Sequence, residues 1–581
     1  MDISSINSAD AFAGFFAKDD LFPWLRTLIE QMVLGNICID IDAFSESQYH
    51  NLSILSDHIL VGPPQENKPF VIHNGRLYIN RYFQYEKSLI EKIRQLCELV
   101  AADRDFDFLH DNKDFIVRHL FPPSGYVKGA DWQLVACLTA FLSRFTIISG
   151  GPGTGKTTTV AKLLYLLLKQ TPDAKIGVCA PTGKASAHLD ESFARAGDKL
   201  AGSEFNDELV QKIADLKALT LHSMLGYIHN SIHFKHHEGN PLDFDILIVD
   251  ECSMIDITMF FKLFKAIDPG RTRVVLLGDK NQLASVEAGS IFRDLCNDTA
   301  PMNIFSKVRT DFINGFIEEP LDCMSGEVTH PLFERMIELQ TSFRFSDDEG
   351  IGKFSKAVLN NDQVVIKEFL ENKDDRVKFL CPNDVESALK SAAQRLLQVN
   401  GGYVGQTGVG EALNRLVKSI VLCAVKEGKT GVLAVNRMIA SEVSHNNERF
   451  YPFLPVMVAS NQHSEGIYNG DMGLILEVKG EVNAYFPKGN GENLKLNPAQ
   501  IREWEPAYAM TIHKSQGSEF DEVLIILPEN RENILLTREL LYTAITRAKE
   551  KVTIVGFSEI IRAIAEQSVK RVSGIKDHFK S

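Results

Sequence analysis

Apolar residues recur at helical spacing from Phe12 to Val33 and again from Tyr85 to Val100, and both runs predict amphipathic helices. Between them lies an extended segment, Pro69 to Tyr82, whose central Asn74-Gly75 is the dipeptide of a tight hairpin. Phe121-Pro122-Pro123-Ser124-Gly125 breaks the pattern and reads as a linker. Trp132 to Arg144 then predicts a helix leading into a strand at Phe145 to Ser149. From there to about residue 298, strand and helix patterns alternate. The short apolar runs Ile176 to Ala180, Ile246 to Val249 and Val274 to Leu277 each end in polar chemistry, the pattern of a parallel sheet with its site at the strand C-termini. A second alternating block begins at about residue 333. It is interrupted between about 437 and 506 by a Gly- and Asn-rich stretch with β-like runs at Met472 to Val478 and Val482 to Phe486. The polar segment from Leu189 to Leu219 and the stretch from 299 to 331 read as loops or small inserts.

This pattern divides the chain into an N-terminal, mainly helical domain at 1–125, an α/β domain at 126–332 and a second α/β domain at 333–581 carrying a small β insertion at about 437–506. With 581 residues and 44% hydrophobic content, each has enough apolar mass for a core. No run approaches the roughly 18 uninterrupted apolar residues of a membrane span, and the first residues are polar and acidic, so a cytoplasmic protein without membrane contact is expected. Nine cysteines without a CxxC pair argue against a zinc ribbon and a disulfide framework. A formal charge of −14 excludes a generally basic nucleic-acid coat, and any grip on a strand has to come from basic groups gathered locally in a channel.

The strand at Phe145 runs into Gly150-Gly151-Pro152-Gly153-Thr154-Gly155-Lys156-Thr157, followed by a helical run. This strand-loop-helix setting is what a phosphate loop requires: glycines let backbone N–H groups close on phosphate oxygens, Lys156 reaches the β and γ phosphates of ATP, and the Thr157 hydroxyl ligates Mg2+. Asp250-Glu251 ends another apolar run, so two carboxylates emerge where a parallel strand meets the phosphates, one to hold metal and one to activate water. Gln282, in Gly278-Asp279-Lys280-Asn281-Gln282-Leu283, is placed to sense the γ-phosphate. Arg344 in Ser342-Phe343-Arg344-Phe345 and Arg547 in Leu541 to Ala548 are candidate arginine fingers delivered by a second domain. His229, His233, His236 and His237 lie close together, but without an acidic or Cys partner at ligand spacing they read as a polar loop.

Taken in order, Asp131-Trp132-Gln133, the phosphate loop, Ala180-Pro181-Thr182-Gly183-Lys184-Ala185, Thr220-Leu221-His222, Asp250-Glu251, GDKNQL, SFRF, AMTIHKSQGSEF at 509–520 and LYTAITRA at 541–548 resemble superfamily 1 DNA helicases and, within them, the RecD family of exodeoxyribonuclease V (RecBCD) α subunits. The resemblance covers roughly residues 60 to 575 and is thin before 60 and between 299 and 331. It implies two RecA-like motor domains, and it makes Gln133 an adenine contact, Lys156 and Thr157 phosphate and magnesium ligands, Asp250 a metal partner and Glu251 the general base. It also implies that Thr182, His222, Thr511, His513, Lys514 and Ser515 lie on a single-stranded DNA path, with 5′ to 3′ polarity and a heterotrimer with RecB-like and RecC-like subunits acting on duplex ends in break repair and recombination. Small hydroxyls with an occasional Lys or His suit a motor that must grip and release phosphates at each step. No nuclease-type carboxylate cluster is visible, so the nuclease chemistry of such a complex is expected in another subunit. Two other readings fit the motifs: a stand-alone RecD-like helicase, and a nucleotide-switched regulatory subunit without motor activity, which would have no need to retain Glu251, Gln282 and both arginines.

Overall fold

The computed structural model describes residues 3–45, 52–99, 102–123, 129–200, 202–322, 329–346, 348–371, 374–380, 386–387, 389–390, 408–443, 449–462, 464–488, 492–529 and 536–580. Ser124 and Gly125 of the expected linker, and residues 323–328 of the expected irregular stretch, lie outside them.

The N-terminal unit is built on strands β1 (Cys38–Asp40), β2 (Val61–Gly62), β3 (Phe70–His73) and β4 (Arg76–Ile79), in the order β1-β4-β3-β2. Asn74 and Gly75 both have left-handed backbones, φ 48° and 73°, which matches the twist of the hairpin joining β3 to β4. Helices Ile3–Phe16 and Phe22–Val33 cover this sheet, with Trp24, Leu25, Leu28, Phe70 and Leu77 in one core. The helix Asn80–Glu98 presents Phe83, Leu89 and Ile93 to Phe260, Leu263 and Phe264 of the next domain, so the two units share an apolar cluster.

The first α/β domain is a parallel sheet of β5 (Phe145–Gly150), β6 (Ile176–Ala180), β7 (Leu219–Thr220), β8 (Ile246–Val249), β9 (Arg273–Gly278) and β10 (Met336–Leu339), ordered β10-β5-β9-β8-β6-β7. The expected boundary at 332/333 is corrected here: β10 pairs with β5 in register Ile337 to Ile148, so the first sheet extends past it. Helices Gly183–Leu200 and Asp207–Ala214 occupy the segment read as loop. Its apolar stripe, Leu189, Phe193, Ala196 and Leu200, is narrow, and the solvent-facing positions dominate the composition. A helix at Lys307–Asn314 likewise falls inside the stretch expected to be irregular. Arg273 plugs the C-terminal end of the helix Trp132–Phe141, donating to the carbonyls of Ala140, Phe141 and Ser143 at 2.5–2.6 Å and so satisfying acceptors that a helix end leaves open.

The second α/β domain repeats the parallel plan with β11 (Val377–Leu380), β12 (Ser419–Cys423), β18 (Ala509–Thr511), β19 (Phe520–Ile526) and β20 (Ala548–Val555), ordered β11-β20-β19-β12-β18. Between β12 and β18 the chain forms an antiparallel sheet of β13 (Pro455–Val458), β14 (Met472–Val478), β15 (Glu481–Pro487), β16 (Asn493–Leu496) and β17 (Trp504–Pro506), the β insertion that the sequence pattern marks. The protein is thus α/β, with two RecA-like motor domains.

A further correction concerns the C-terminal residues assigned to the second motor. After the helix Ser558–Glu566 the chain crosses back over the cleft. Val569 N–H donates to Glu539 of the second motor at 3.1 Å, Arg571 donates to Ser285 O of the first motor at 2.9 Å, and Ile37 N–H donates to Val572 O at 3.2 Å. Gly574 N–H then donates to both carboxylate oxygens of the wholly buried Glu86 at 3.1 and 3.2 Å. Arg94 holds the carbonyls of His578 and Phe579 at 2.8 and 2.6 Å, Arg76 pairs with Asp577, and Ile575 is fully buried in the cluster shared by the N-terminal unit and the first motor. Beyond the bond to Glu539, this C-terminal strap is held by groups more than 280 residues upstream, which no local pattern reveals. No helix among the described residues is long and apolar enough to cross a membrane, and the seven described cysteines are buried and free.

Candidate active site

β5 is buried along its whole length and delivers Gly150 to the start of the loop, while the helix Lys156–Gln170 begins at its end. Gly153 and Gly155 have φ of 78° and 82°, the left-handed region that glycine enters without penalty. Both also lack room for a side chain: a Cβ on Gly153 would fall on Cβ of Arg344, and one on Gly155 on the amide of Gln133. Lys156 Nζ donates to Gly150 O at 2.5 Å and to Gly151 O at 3.2 Å, so the ammonium already lies inside the loop curve where phosphate oxygens, as charged acceptors, would outcompete carbonyls. Thr154 closes the turn through its hydroxyl to Gly151 O at 2.9 Å.

Gln133 follows the helix N-cap Asp131 and donates from Nε2 to Thr154 O at 2.9 Å. Asp131, Trp132, Leu339 and Phe343 join it around a narrow slot beside the loop. Phe343 N–H donates to Gly153 O at 2.9 Å and Ser342 Oγ to Pro152 O at 3.2 Å, so the exit of β10 is stitched to the phosphate loop.

Asp250 and Glu251 leave β8 as expected. Asp250 is buried, and its Oδ1 accepts the Glu251 N–H at 2.7 Å. Burial, then the adjacent Glu251, push its carboxyl up to about 6 against the pull of Lys156. Glu251 itself adopts φ 52°, an uncommon conformation for a side-chain-bearing residue, of the kind that clusters at functional sites. A small hard cation fits here: the excess negative charge calls for one, and magnesium takes few protein ligands and completes its shell with phosphate oxygens and water. Among the described residues no group of three or more His, Cys, Asp or Glu could hold a metal by itself, which also leaves His229, His233, His236 and His237 in the polar hairpin where Tyr227 pairs with Phe234.

Gln282 is buried and donates from Nε2 to Asp279 Oδ2 at 3.1 Å. Asp279 was not singled out from sequence, yet it is the acceptor around which this loop is arranged. Arg344 follows β10 of the first sheet rather than coming from the second domain, which corrects the expectation for its origin. Its guanidinium is paired with Glu519 of the second motor, which Lys549 also approaches at 3.7 Å. Arg547 does come from the second motor: it is buried, donating to Thr543 O at 3.2 Å and Ser518 O at 3.1 Å, with Glu251 the strongest acidic influence on it. Lys156, Asp250, Glu251, Gln282, Arg344 and Arg547 therefore converge on the seam between the two sheets. Glu519 and Tyr542, both inside motifs visible in the sequence, complete that seam and were passed over because nothing local distinguishes them from packing residues.

The residues expected on the strand path divide into four groups. Thr182 caps the helix Gly183–Leu200 by accepting Ala185 N–H at 3.2 Å, and Ala185 lies against Gly517 of the second motor, so the TGKA and KSQG segments face each other across the cleft. Thr511 accepts Lys514 N–H at 3.3 Å at the end of β18, burial and then Arg571 lower the pKa of the His513 ring, and the exposed Lys514 pairs with Glu505 at 2.6 Å. His222 is exposed, its ring 5.7 Å from that of Phe234, so it is no core histidine. Ser515 is fully buried and donates to Ile512 O at 2.7 Å, so it closes the turn and presents no surface to a strand.

Residues 133–288 match the family described as an AAA domain, and residues 506–555 that described as a UvrD-like helicase C-terminal domain. The RecBCD enzyme subunit RecD of Haemophilus influenzae is 34% identical over 543 residues, covering 88% of this chain and 81% of that protein. The subunit of the same name from Mycobacterium tuberculosis is 31% identical over 611 residues, covering 100% of this chain and 95% of its own length. The ATP-dependent RecD2 DNA helicase of Deinococcus radiodurans is 27% identical over 480 residues, 82% of this chain but 54% of that protein.

Proposed function

The chain belongs to the RecD family of RecBCD enzyme subunits, and on that premise we propose that it is the 5′ to 3′ motor of a three-subunit helicase–nuclease that processes duplex DNA ends in break repair and recombination. It is a superfamily 1 DNA helicase and ATP hydrolase. The observation that carries the reading is the seam itself, where Tyr542 of the second RecA-like domain reaches the phosphate loop of the first at Gly151, and Arg344, beside Gly153, is held by Glu519 of the second.

ATP enters with its base in the Gln133 slot and its phosphates on the loop N–H groups, and Lys156 exchanges two carbonyls for phosphate oxygens. Thr157 and Asp250 would hold Mg2+, which supplies neutralisation of the charge on the β and γ phosphates. Glu251 takes the proton of the attacking water, Gln282 orients it, and Arg344 and Arg547 stabilise the charge of the transferring group as the motors close. Hydrolysis removes the reason for closure, and Thr182 on one motor and Thr511, His513 and Lys514 on the other grip the strand alternately. The nuclease step falls to another subunit. RecB-like and RecC-like partners are the natural occupants of the N-terminal unit's surface, where Phe15 and Ile59 stand 82% and 80% exposed.

The test is ATP hydrolysis by the purified chain with and without single-stranded DNA, beside Lys156→Gln, and then by the complex reconstituted with its partners. Strand-stimulated turnover abolished in Lys156→Gln is the expected result. Hydrolysis that ignores DNA both alone and in the complex would reduce the chain to a nucleotide switch.

A further inference from the structure

The helix Arg538–Ile545 of the second motor does more than lead into Arg547: it lies against the GDKNQL loop of the first motor and bonds to it directly. Thr543 Oγ1 accepts Leu283 N–H at 3.0 Å, and Arg293 donates to Glu539 at 2.8 Å. Between these two anchors the Tyr542 hydroxyl donates to Asp279 Oδ2 at 3.1 Å. That oxygen is the same one that accepts Gln282 Nε2, also at 3.1 Å. Each motor therefore supplies one donor to a single carboxylate oxygen, inside a site where Asp279 is 2% exposed and Tyr542 6%. The pair also stands at the wall of the phosphate loop: a Cβ on Gly151 would lie 2.8 Å from the Tyr542 oxygen and 4.0 Å from Asp279 Oδ2.

We propose that Tyr542 is a positioning residue for hydrolysis, through which the second motor governs how firmly Asp279 holds Gln282. The inference rests on the helicase reading and deepens it. A buried carboxylate seeks its donors strongly, and the Asn281 N–H, at 2.9 Å, serves only Oδ1 and leaves Oδ2 to Gln282 and Tyr542, with the Lys156 charge nearby. With the phenol in place, Oδ2 is already served, and the Gln282 amide is free to turn to water and the γ-phosphate. With the phenol withdrawn or absent, Gln282 is the remaining side-chain donor to that oxygen and stays on it. Movement of the second motor thus reaches the water-orienting amide through one oxygen atom. Burial raises the phenol's pKa far above the working range, so it serves as a neutral donor at any pH at which the protein functions.

The test is Tyr542→Phe in the full chain, which removes one oxygen and keeps the ring. With saturating single-stranded DNA, kcat should fall roughly 10- to 100-fold, the range of one bond to a charged group, while KM for ATP stays within about twofold, as for an interaction that serves the chemical step alone. In the double variant with Asp279→Asn, the Tyr542 effect should largely vanish, since both changes act through one oxygen. Unchanged kcat in Tyr542→Phe, or losses that add in the double variant, would overturn the proposal. A fall in kcat that merely tracks a lowered melting temperature would assign Tyr542 to packing and overturn it as well. A wild-type chain without strand-stimulated turnover, alone or in the complex, would instead defeat the helicase reading, and the two failures are therefore distinct.

Discussion

Replacing Ile575 by Ala should release the C-terminal strap while leaving both motors folded. Ile575 is fully buried against the N-terminal unit and the first motor, and truncating such a residue to Ala costs about 2–5 kcal/mol in lost transfer energy and residual cavity. The rest of the strap's hold comes from Phe579 in the same apolar cluster and from polar contacts, among them two bonds from Gly574 N–H to Glu86, two from Arg94 to carbonyls, and the Arg76–Asp577 pair. None of these compensates for a vacated apolar socket. At about 1.4 kcal/mol per decade, that loss of about 2–5 kcal/mol raises the open population of the strap by roughly 30- to 4,000-fold. Hydrogen exchange read by mass spectrometry resolves this: peptides spanning 569–580 should lose protection by that factor, while those of the helix Lys156–Gln170 keep theirs. Unaltered protection at 569–580 would show that the strap is not held by this contact. Uniform loss through both parallel sheets would show that it opens only when the whole protein unfolds, and would refute its treatment as a separate element.

Glu251→Gln should bind ATP with near-normal affinity, measured by fluorescence of a labelled nucleotide, yet hydrolyse it roughly 10²- to 10⁴-fold more slowly, the span of a general base; normal steady-state turnover would move that role to another group. Gly153→Ala forces a left-handed alanine onto Arg344, and with about 1–2 kcal/mol of backbone strain plus about 1 kcal/mol for the weakened Gly153 O–Phe343 bond, kcat/KM should drop roughly 30- to 150-fold in an ATPase assay. Lys184, in the gap between the motors, is lowered to about 8 by burial, partly offset by Asp471, from an ordinary value of 10.5. Between those two values the unfolded chain holds the proton that the folded one has released, so stability attributable to this group rises with pH across that window and the penalty is complete below it. Lys184→Met should therefore melt above wild type at pH 7, with the gap closing as pH climbs past about 8; a gap that stays constant would place the ammonium in water.

The residues of the candidate site that meet at the seam were largely legible because the chemistry proposed for them depends on local sequence. A phosphate loop needs glycines at fixed positions after a strand, and carboxylates, an amide and arginines at strand ends announce themselves by spacing. What the sequence hides is who holds whom. Glu519 reads as one more surface acid until Arg344 lies beside it, and the origin of Arg344 was misassigned because β10 closes the first sheet from beyond an expected boundary. The helix Gly183–Leu200 was missed because a narrow apolar stripe is outweighed by a broad polar face. Ser515 had the residue type of a phosphate contact but sits in a buried turn, a distinction set by backbone geometry and not by neighbours in sequence. The strap is the extreme case, since Gly574 and Glu86 are separated by 488 positions.

The strap also changes how the second motor can move. The chain passes between the motors after β10, alongside the phosphate loop, and passes back after the helix Ser558–Glu566, toward Ser285 and Glu86. A body pinned to another at two separate points, like a door on its hinges, keeps a single rotational freedom about the line through them. The second motor would then swing on an axis written into the connectivity, and the advance along DNA per ATP becomes an arc length, set by the swing angle and by how far the KSQG turn stands from that axis.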